Sequence, residues 1–308
     1  MAKVISVGSL NVDITFSVAA FPQPGEDRPV RDSWRTMGGK ALNQAVAAHR
    51  AGAAACLIGA VGDDSLGHGV LSFLRDEGVD TDACAVLAEM PTGLALILVE
   101  PSARNTILFE PGAARGMSWP ASVNVEAGDC VLSHAEIPME VLTAAYEAGR
   151  EAGAFNVISG MRADQADKLL PLLDLLIVNQ LEFEILAGQP VPAKVLVSGD
   201  LRPLAERAGI DSVAIIVTLG ELGARYLDTE GGSAYVAAPA VDAVDTTAAG
   251  DVFSGALAAE LTSGGRLPGA IGFAVAAGSL AVLRKGASSA APRRREIAAL
   301  VREARLAP

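Results

Sequence analysis

The stretch DTTAAGDVFSGALAAEL, residues 245–261, predicts a helix that begins at a turn of small residues. Ala248, Ala249 and Gly250 carry almost no side chain, so the backbone N–H groups of this turn stay open to a ligand. The N-terminus of a helix adds roughly half a positive charge at the same place. Such a turn is typical of a site for phosphate or another oxyanion.

Asp251 places a negative charge at the start of this helix and has two interpretations. An acidic side chain in the first turn stabilises a helix N-terminus without any other role. A phosphoryl-transfer site, in contrast, needs an anion-binding backbone and a base that removes the proton of the attacking hydroxyl. Asp251 would supply the base, residues 248–250 would form the anion hole, and a second acid, Asp245, precedes them.

Outward from this turn, apolar runs typical of strands alternate with helical patterns. Strands are predicted at 3–9, 10–18, 30–37, 55–64, 129–133, 154–158, 175–179, 194–198 and 213–218, with a hairpin formed by 93–100 and 105–112. Helices are predicted at 38–52, 66–78, 138–152, 180–187, 201–208, 250–263, 267–284 and 293–304. This alternation predicts an α/β fold whose central, mostly parallel sheet is flanked by helices on both faces. The β runs at 12–18, 30–36 and 93–112 are expected to form a small separate sheet.

The composition excludes several classes of protein. A chain of 308 residues with 51% apolar residues can bury a sizeable core. The net charge of −12, without a basic patch, argues against nucleic acid as a partner. The apolar stretch at 271–283 is too short to cross a membrane, and the first residues lack the pattern of a signal peptide. The three cysteines lack CxxC spacing, so we expect reduced thiols and a cytoplasmic protein.

Polar residues follow several of the predicted strands, where ligands of parallel sheets bind. Asn11 and Asp13 lie two apart on one face of a strand and suit the vicinal hydroxyls of a sugar, although an Asx turn is an equal alternative. GGKALNQ (38–44) combines paired glycines with Lys40 and Asn43, and its alternative is a tight turn with a surface lysine.

Two further motifs follow later strands. In NQLE (179–182), Asn179 and Glu182 would hold Mg²⁺ through water, or Asn179 would simply cap a helix. In TLGELG (218–223), the backbone and phosphate of a nucleotide would lie close to Gly220 and Gly223. Alternatively, the segment is a hairpin turn. The dinucleotide-binding fingerprint and the P-loop spacing are both absent, and the three histidines are expected to be structural or superficial.

The order and spacing of NVD, GGKALNQ, NQLE, TLGELG and AAGD resemble those of the ribokinase-like carbohydrate kinases, also called the phosphofructokinase B family. The resemblance runs from about residue 4 to about residue 297. It implies an α/β domain, expected at 1–11, 38–92 and 112–308, and a smaller β lid at 12–37 and 93–111. It further implies ATP-dependent phosphorylation of a sugar, most closely of D-ribose to D-ribose 5-phosphate, by a homodimer that pairs through its lids.

The resemblance assigns roles to the residues that match the family's motifs. Asp251 would be the catalytic base, with an anion hole at Ala248, Ala249 and Gly250. The sugar would be held by Asn11, Asp13, Gly39, Lys40, Asn43, Glu136 and Asp251. The nucleotide would lie against Asn179, Thr218, Gly220, Gly223, Ala249 and Gly250, and Mg²⁺ against Asn179 and Glu182. A monovalent cation, K⁺, would be bound by Asp245, Thr247 and the carbonyls of Ala281, Arg284 and Gly286.

The sequence departs from the family's pattern at three places. Ala290 stands where the family has a serine of the cation site, although Ser289 or water would compensate. Ala114 stands where an asparagine is usual, and FNVISG (155–160) lacks the usual proline-rich form. A kinase of another acceptor, such as fructose, a keto-deoxy sugar acid or a nucleoside, therefore stays open. A catalytically silent sugar- or nucleotide-binding regulator is a further alternative, against which the intact Asp251 and anion hole argue.

Overall fold

The computed structural model describes residues 2–101 and 104–306. Within these residues the strands are β1 (Lys3–Val7), β2 (Asn11–Ser17), β3 (Asp32–Gly38), β4 (Ala54–Ile58), β5 (Ala60–Gly62), β6 (Ala85–Leu87), β7 (Gly93–Val99), β8 (Asn105–Glu110), β9 (Cys130–His134), β10 (Phe155–Ser159), β11 (Leu175–Asn179), β12 (Ala214–Thr218), β13 (Ala224–Leu227) and β14 (Ser233–Val236). The helices are α1 (Lys40–Arg50), α2 (Ser65–Asp76), α3 (Met139–Ala152), α4 (Ala166–Leu169), α5 (Gln180–Ala187), α6 (Ala193–Ser198), α7 (Arg202–Ala208), α8 (Ala249–Thr262), α9 (Leu267–Ala281) and α10 (Arg294–Ala304).

A central sheet of eight strands organises the molecule, in the order β14-β13-β12-β11-β10-β9-β1-β4. The strands from β12 to β4 pair in parallel, and β13 and β14 add an antiparallel edge. Strand β4 lies on one side of β1, and β9, which comes later in the chain, lies on the other side. The strand order therefore reverses between β1 and β9, and the carboxyl ends of these strands form a crevice suited to a ligand.

Helices cover both faces of this sheet, as the alternating pattern predicts. One core joins the sheet to α1, α8 and α9 through residues such as Leu42, Phe253 and Ile271. A second core lies on the opposite face around Tyr146 and Phe183, from α3 and α5. Small residues let α1 and α8 approach closely, since a Cβ at Gly255 would come within 2.3 Å of a backbone oxygen of α1. This close packing brings the starts of α1 and α8 together.

A second sheet of four strands, in the order β3-β2-β7-β8, stands apart from the central sheet. β2 pairs with β3 in antiparallel and with β7 in parallel orientation, and β7 and β8 form the expected hairpin. The expected small β-sheet is thus present. Residues 102 and 103 of the expected lid, together with residues 1, 307 and 308 of the expected α/β domain, lie outside the described residues.

The prediction of a strand at 194–198 is wrong, because this segment is helix α6. A short apolar run such as VLVS does not distinguish a strand from a helix, and here Pro192 precedes the first helical residue. The strand predicted at 55–64 is split into β4 and β5 at Gly59, where a Cβ would lie 2.1 Å from the Leu10 side chain. Of the helices between residues 2 and 306, leaving out 102 and 103, none has the length and hydropathy needed to span a membrane.

Candidate active site

The residues singled out in the sequence lie at one edge of the central sheet, where its parallel strands end. Ser9 and Asn11 follow β1, Glu136 follows β9, and Asn179 ends β11. Thr218 ends β12 and is paired in register with Asn179. Helix α8 packs against β1, β9 and β10, so its N-terminus lies near the middle of this edge. The parallel topology thus gathers motifs that are far apart in the chain.

The turn before α8 presents unpaired backbone donors. Ala248 adopts a left-handed conformation with φ of 58° as the N-cap of the helix. For a residue with a Cβ, this conformation costs roughly 1–3 kcal/mol, so the surrounding structure must hold it in place. The N–H of Ala249 reaches the carbonyl oxygen of Thr246 at 3.3 Å, whereas the N–H groups of Ala248 and Gly250 have no partner among the described residues. Free donors at the positive end of a helix of 14 residues can bind an anion.

Asp251 lies in the first turn of α8 and contacts the first turns of α1. The Asn43 side chain donates to its Oδ2 at 2.9 Å, and the Gln44 amide lies 3.5 Å from its Oδ1. Burial raises the pKa of Asp251 to about 6, against the hydrogen bond from Asn43 and the charge of Lys40. A carboxylate with a pKa near neutrality can accept a proton and release it again, as general-base catalysis requires.

Lys40 and Glu136 form an ion pair across the crevice between β1 and β9. The Lys40 ammonium donates to both Glu136 carboxylate oxygens, at 2.9 and 3.0 Å. Burial lowers the pKa of Lys40, but the Glu136 carboxylate, together with Asp251 and Glu182, outweighs this effect and the net pKa is raised. Both side chains are about half exposed, so the pair contributes little to stability. Its charged groups remain accessible to a polar ligand.

Asp13 lies on β2 beside this crevice. The side chain is 9% exposed, and no described residue donates a hydrogen bond to its carboxylate. Burial therefore raises the pKa of Asp13 to about 6. A Cβ at the neighbouring Gly38 would lie 2.1 Å from Asp13 Oδ2, so a glycine is needed beside this carboxylate.

Three buried acceptor atoms near these acids have no donor between residues 2 and 306, leaving out 102 and 103: Asn11 Oδ1, Asn43 Oδ1 and Gln44 Oε1. Buried polar atoms are almost always hydrogen-bonded in native proteins, so unpaired acceptors at one place call for a ligand or water. Together with the Asp13 and Asp251 carboxylates, they make a cluster of acceptors. Such a cluster matches the hydroxyl groups of a carbohydrate.

Asn179 and Glu182 form a reciprocal cap at the start of α5. Asn179 Oδ1 accepts from the Glu182 N–H, and Glu182 Oε2 accepts from the Asn179 N–H, each at 2.9 Å. The helix-capping interpretation of Asn179 is therefore realised. Glu182 Oε1 makes no hydrogen bond to another described residue and lies 3.3 Å from a Cβ built at Gly160.

The segment after β12 is a hairpin turn, which the sequence allowed as an alternative. Gly220 and Gly223 have φ of 57° and 107°, conformations that favour glycine. A Cβ at Gly223 would come within 2.0 Å of the Val236 carbonyl oxygen. The Thr218 hydroxyl lies 3.4 Å from the Val178 carbonyl oxygen, which ties the turn to β11.

Asp245 joins the turn before α8 to the segment after α9. One carboxylate oxygen accepts from the Thr247 N–H and the other from the Gly286 N–H, both at 2.9 Å. The Ala281 carbonyl accepts from the Arg284 N–H at 3.1 Å. Ser289 places its hydroxyl within 2.3 Å of a Cβ built at Gly286, whereas Ala290 is buried. The five residues expected around a monovalent cation thus lie in two facing segments.

Three residues of the site were not identified from the sequence: Ser9, Gln44 and His134. His134 is fully buried between the ends of β1 and β9, whereas the sequence predicted only that each histidine is structural or at the surface. Its position directly after an apolar strand, two residues before Glu136, was the available signal. No cluster of three or more His, Cys, Asp or Glu side chains that could hold a metal occurs in the part of the chain that the structure describes.

Comparison with known proteins gives a consistent result. The family described as pfkB family carbohydrate kinase matches residues 1–294. The chain is 33% identical over 302 residues to a protein named ribokinase from Haemophilus influenzae, covering 96% of this chain and 97% of that protein. It is 30% identical over 294 residues to a protein named deoxyribokinase from Salmonella typhi, covering 93% and 94%. The structure of Arabidopsis thaliana ribokinase complexed with ribose and ATP superposes with a TM-score of 0.85 at 26% identity, covering 98% and 99%.

Proposed function

The chain belongs to the pfkB family of carbohydrate kinases, and on that premise we propose that it transfers a phosphoryl group from ATP to D-ribose, giving D-ribose 5-phosphate. The observation that carries the proposal is the turn before α8. There the Asp251 carboxylate and the unpaired N–H groups of Ala248 and Gly250 occupy adjacent positions, as a base and an anion hole must. The relatives named ribokinase, and the plant ribokinase structure with ribose and ATP, support the choice of substrates.

Asp251 accepts the proton of the sugar's 5-hydroxyl in this proposal. The oxygen then attacks the γ-phosphorus of ATP, the bond to the β-phosphate oxygen breaks, and ADP leaves. Asn43 holds the carboxylate in place through its hydrogen bond to Oδ2. The backbone N–H groups of Ala248 and Gly250 stabilise the charge that develops on the transferred group.

The sugar is held by the acceptor cluster and the ion pair. Asn11 and Asp13 on β2, and Asn43 on α1, supply acceptors for ring hydroxyls. Glu136 accepts from a hydroxyl while the Lys40 ammonium donates to one. Gly39 has φ of 101°, and a Cβ there would meet the Ser9 carbonyl at 2.4 Å, so only glycine lets the chain approach this closely.

ATP lies along the ends of β11 and β12 in the proposed complex. Asn179 and Thr218 face it from paired strands, and Gly220 and Gly223 shape the turn beside it. Residues Ala249 and Gly250 contact its terminal phosphate. Glu182 Oε1, which has no hydrogen-bond partner in the part of the chain that the structure describes, fits a water-mediated contact to Mg²⁺, which when bound with ATP would neutralise phosphate charge.

A monovalent cation, K⁺, would be held by the Asp245 and Thr247 segment and by the carbonyls of Ala281, Arg284 and Gly286. The donor set is all oxygen, as such a cation prefers. Ala290 stands where the family has a serine, so one hydroxyl ligand is lost. The Ser289 hydroxyl beside Gly286 would supply a replacement. The bound cation would order the turn that contains Ala248.

The four-stranded sheet serves as a lid and as the dimer contact in this proposal, with residues 12–37 and 93–111 as the lid and 1–11, 38–92 and 112–308 as the kinase domain. Its β8 strand exposes consecutive apolar side chains, with Leu108 and Phe109 more than 60% exposed. Exposed neighbouring apolar residues favour association. A monomer by light scattering, unchanged in a Leu108→Asp variant, would exclude this contact. The three unpaired cysteines favour a reducing, cytoplasmic location.

An ADP-release assay with ATP and Mg²⁺ tests the reaction. The acceptor panel contains ribose, 2-deoxyribose, fructose, a keto-deoxy sugar acid and a nucleoside, and 2-deoxyribose is included because one relative is named deoxyribokinase. We expect turnover with ribose to exceed the others. Turnover with another acceptor alone would replace the substrate but keep the mechanism. Sugar binding without turnover on any acceptor would favour the regulator.

A further inference from the structure

The side chain of His134 occupies the point where the strand order of the central sheet reverses. It ends β9, is fully buried, and contacts the segment after β1. The Ser9 N–H lies 3.0 Å and the Ser9 hydroxyl 3.1 Å from His134 Nε2. The Glu136 N–H lies 3.3 Å from Nδ1. One ring thus bridges the two segments that carry the proposed sugar-binding groups.

These contacts belong to a closed circuit of four residues. The Lys40 N–H donates to the Ser9 hydroxyl oxygen at 3.2 Å, and the Lys40 ammonium donates to the Glu136 carboxylate. His134 closes the circuit between Ser9 and Glu136. A substitution of the His134 ring should therefore shift both Lys40 and Glu136.

The ring is uncharged in this environment. Both nitrogens face backbone N–H groups, so an imidazolium would point an N–H at another donor on each side, whereas a neutral ring does so on one side alone. Burial and the nearby charge of Lys40 lower the pKa of His134 to about 3. The other charged groups around the circuit are Glu136, which pairs with Lys40, and Asp251. A neutral imidazole has one acceptor nitrogen and one N–H, so Nδ1 accepts from the Glu136 N–H while Nε2–H donates to the Ser9 hydroxyl oxygen.

The surrounding backbone is shaped to this ring. Gly8 has φ of 154°, and a Cβ there would lie 2.3 Å from His134 Nε2. The ring consequently packs directly on the backbone of the turn after β1. We propose that His134 is a positioning residue which, as an uncharged bridge between Ser9 and Glu136, sets the geometry of Lys40 and Glu136 toward the sugar. This inference rests on the proposed function of that pair.

Steady-state kinetics of three variants test the proposal. His134→Phe keeps a flat ring without nitrogen, His134→Ala removes the ring, and His134→Gln keeps a donor and an acceptor. We expect the KM for ribose to rise at least about tenfold in the Phe and Ala variants, because buried donors lose their partner. The KM for ATP should stay within about twofold, and the Gln variant should stay within about threefold of wild type for both substrates.

Tyr146→Phe provides a matched control. Tyr146 is fully buried, and its hydroxyl bonds to Ser133, the neighbour of His134, and to the Val157 carbonyl, on the other face of the sheet. Loss of this hydroxyl should lower the melting temperature without changing the KM for ribose. Equal increases of both KM values in the Phe and Ala variants, or an unchanged ribose KM in the Phe variant, would overturn the proposal.

Two further measurements do not depend on sugar turnover. ¹⁵N-edited NMR should show a neutral His134 ring at pH 7, identified by its loss in His134→Gln, and a charged ring would overturn the inference. Amide exchange at Glu136, whose N–H donates to Nδ1, should speed up at least about tenfold in His134→Phe, and unchanged exchange would contradict the proposal. If the wild-type enzyme phosphorylates no sugar, the proposed function fails, and these two measurements alone decide the role of His134.

Discussion

The Asn43 side-chain amide donates to Asp251 Oδ2 at 2.9 Å, and this contact joins the first turns of two helices separated by more than 200 residues. Helix α1 carries Lys40 and Asn43, two of the residues proposed for the sugar, and Asp251 and most of the proposed anion hole lie at the start of α8. The hydrogen bond therefore sets where the base lies relative to the sugar. It also keeps the Asp251 carboxylate in one orientation, since Gln44 approaches the other oxygen.

Replacing Asp251 with Asn should abolish most of the turnover while sugar and ATP still bind. Without the carboxylate, no group accepts the proton of the attacking hydroxyl, and general-base catalysis contributes about 10²–10⁴-fold. Turnover from the ADP-release assay and binding by isothermal titration check this. Asp211→Asn, which removes an exposed carboxylate far from the crevice, is the control. A near-normal kcat in Asp251→Asn would exclude Asp251 as the base.

Activity should fall as the pH drops through about 6, the raised pKa of Asp251. Below that pH the carboxyl is protonated and no longer accepts a proton, and above it the carboxylate is present. Asp13 has a pKa of about 6 as well, so a plot of log kcat/KM against pH should have a slope between about 1 and 2 on the acid side. In Asp13→Asn that slope should be about 1. An acid limb centred near pH 4 would contradict both assignments.

Asp13→Asn should stabilise the folded protein at pH 7.5. Burial raises the pKa of Asp13 from 3.8 to about 6, so the folded state binds the proton more tightly than the unfolded state. Stability contributed by this group is present at low pH and is lost as the pH rises from about 3.8 to 6. At pH 7.5 the neutral amide should therefore raise the free energy of unfolding by about 1–3 kcal/mol.

Urea unfolding at pH 7.5 and pH 3.5 measures this effect. The difference between Asp13→Asn and wild type should shrink at the lower pH, where both side chains are uncharged. The KM for ribose should rise in the same variant, because a carboxylate acceptor for the sugar is lost. A variant that is less stable at pH 7.5 would show that the Asp13 charge is satisfied in the folded state.

Glu136→Gln should weaken sugar binding without a matching loss of stability. The Lys40–Glu136 pair is about half exposed, so its removal should change the free energy of unfolding by less than about 1 kcal/mol. The KM for ribose should rise about tenfold, as loss of a charged hydrogen-bond partner predicts. Asp164→Asn breaks the exposed pair with Arg162 and is the control, with both quantities unchanged. A large loss of stability with an unchanged KM would make the pair structural.

Ala290→Ser should lower the K⁺ concentration that half-activates the enzyme, and Ser289→Ala should raise it. Each change should be about 3–10-fold, because one contact of the strength of a hydrogen bond is gained or lost. The first variant restores a hydroxyl at a buried position, and the second removes the hydroxyl beside Gly286. Turnover measured over a range of KCl at constant ionic strength, with NaCl as the balancing salt, checks this. Identical K⁺ curves for wild type and both variants would place the cation elsewhere or exclude activation.

The alternation of strands and helices was sufficient to predict the parallel sheet, the helices on both faces and the separate small sheet. The segment 194–198 was assigned wrongly because a run of four or five apolar residues buries equally well as a strand or as one helical turn. The identity of a short segment depends on its packing partners, which lie elsewhere in the chain.

The sequence by itself determined which residues can do chemistry, because side-chain types, the glycine turns and the helix start at 245–261 are local properties. Only the tertiary structure decided which of them meet. The return of β9 to the far side of β1 brings His134 to Ser9 and Glu136 to Lys40, and the close packing of α1 on α8 brings Asn43 to Asp251. Burial in the assembled fold raises the pKa of Asp13 and Asp251 and lowers that of His134, and no local sequence pattern contains this burial.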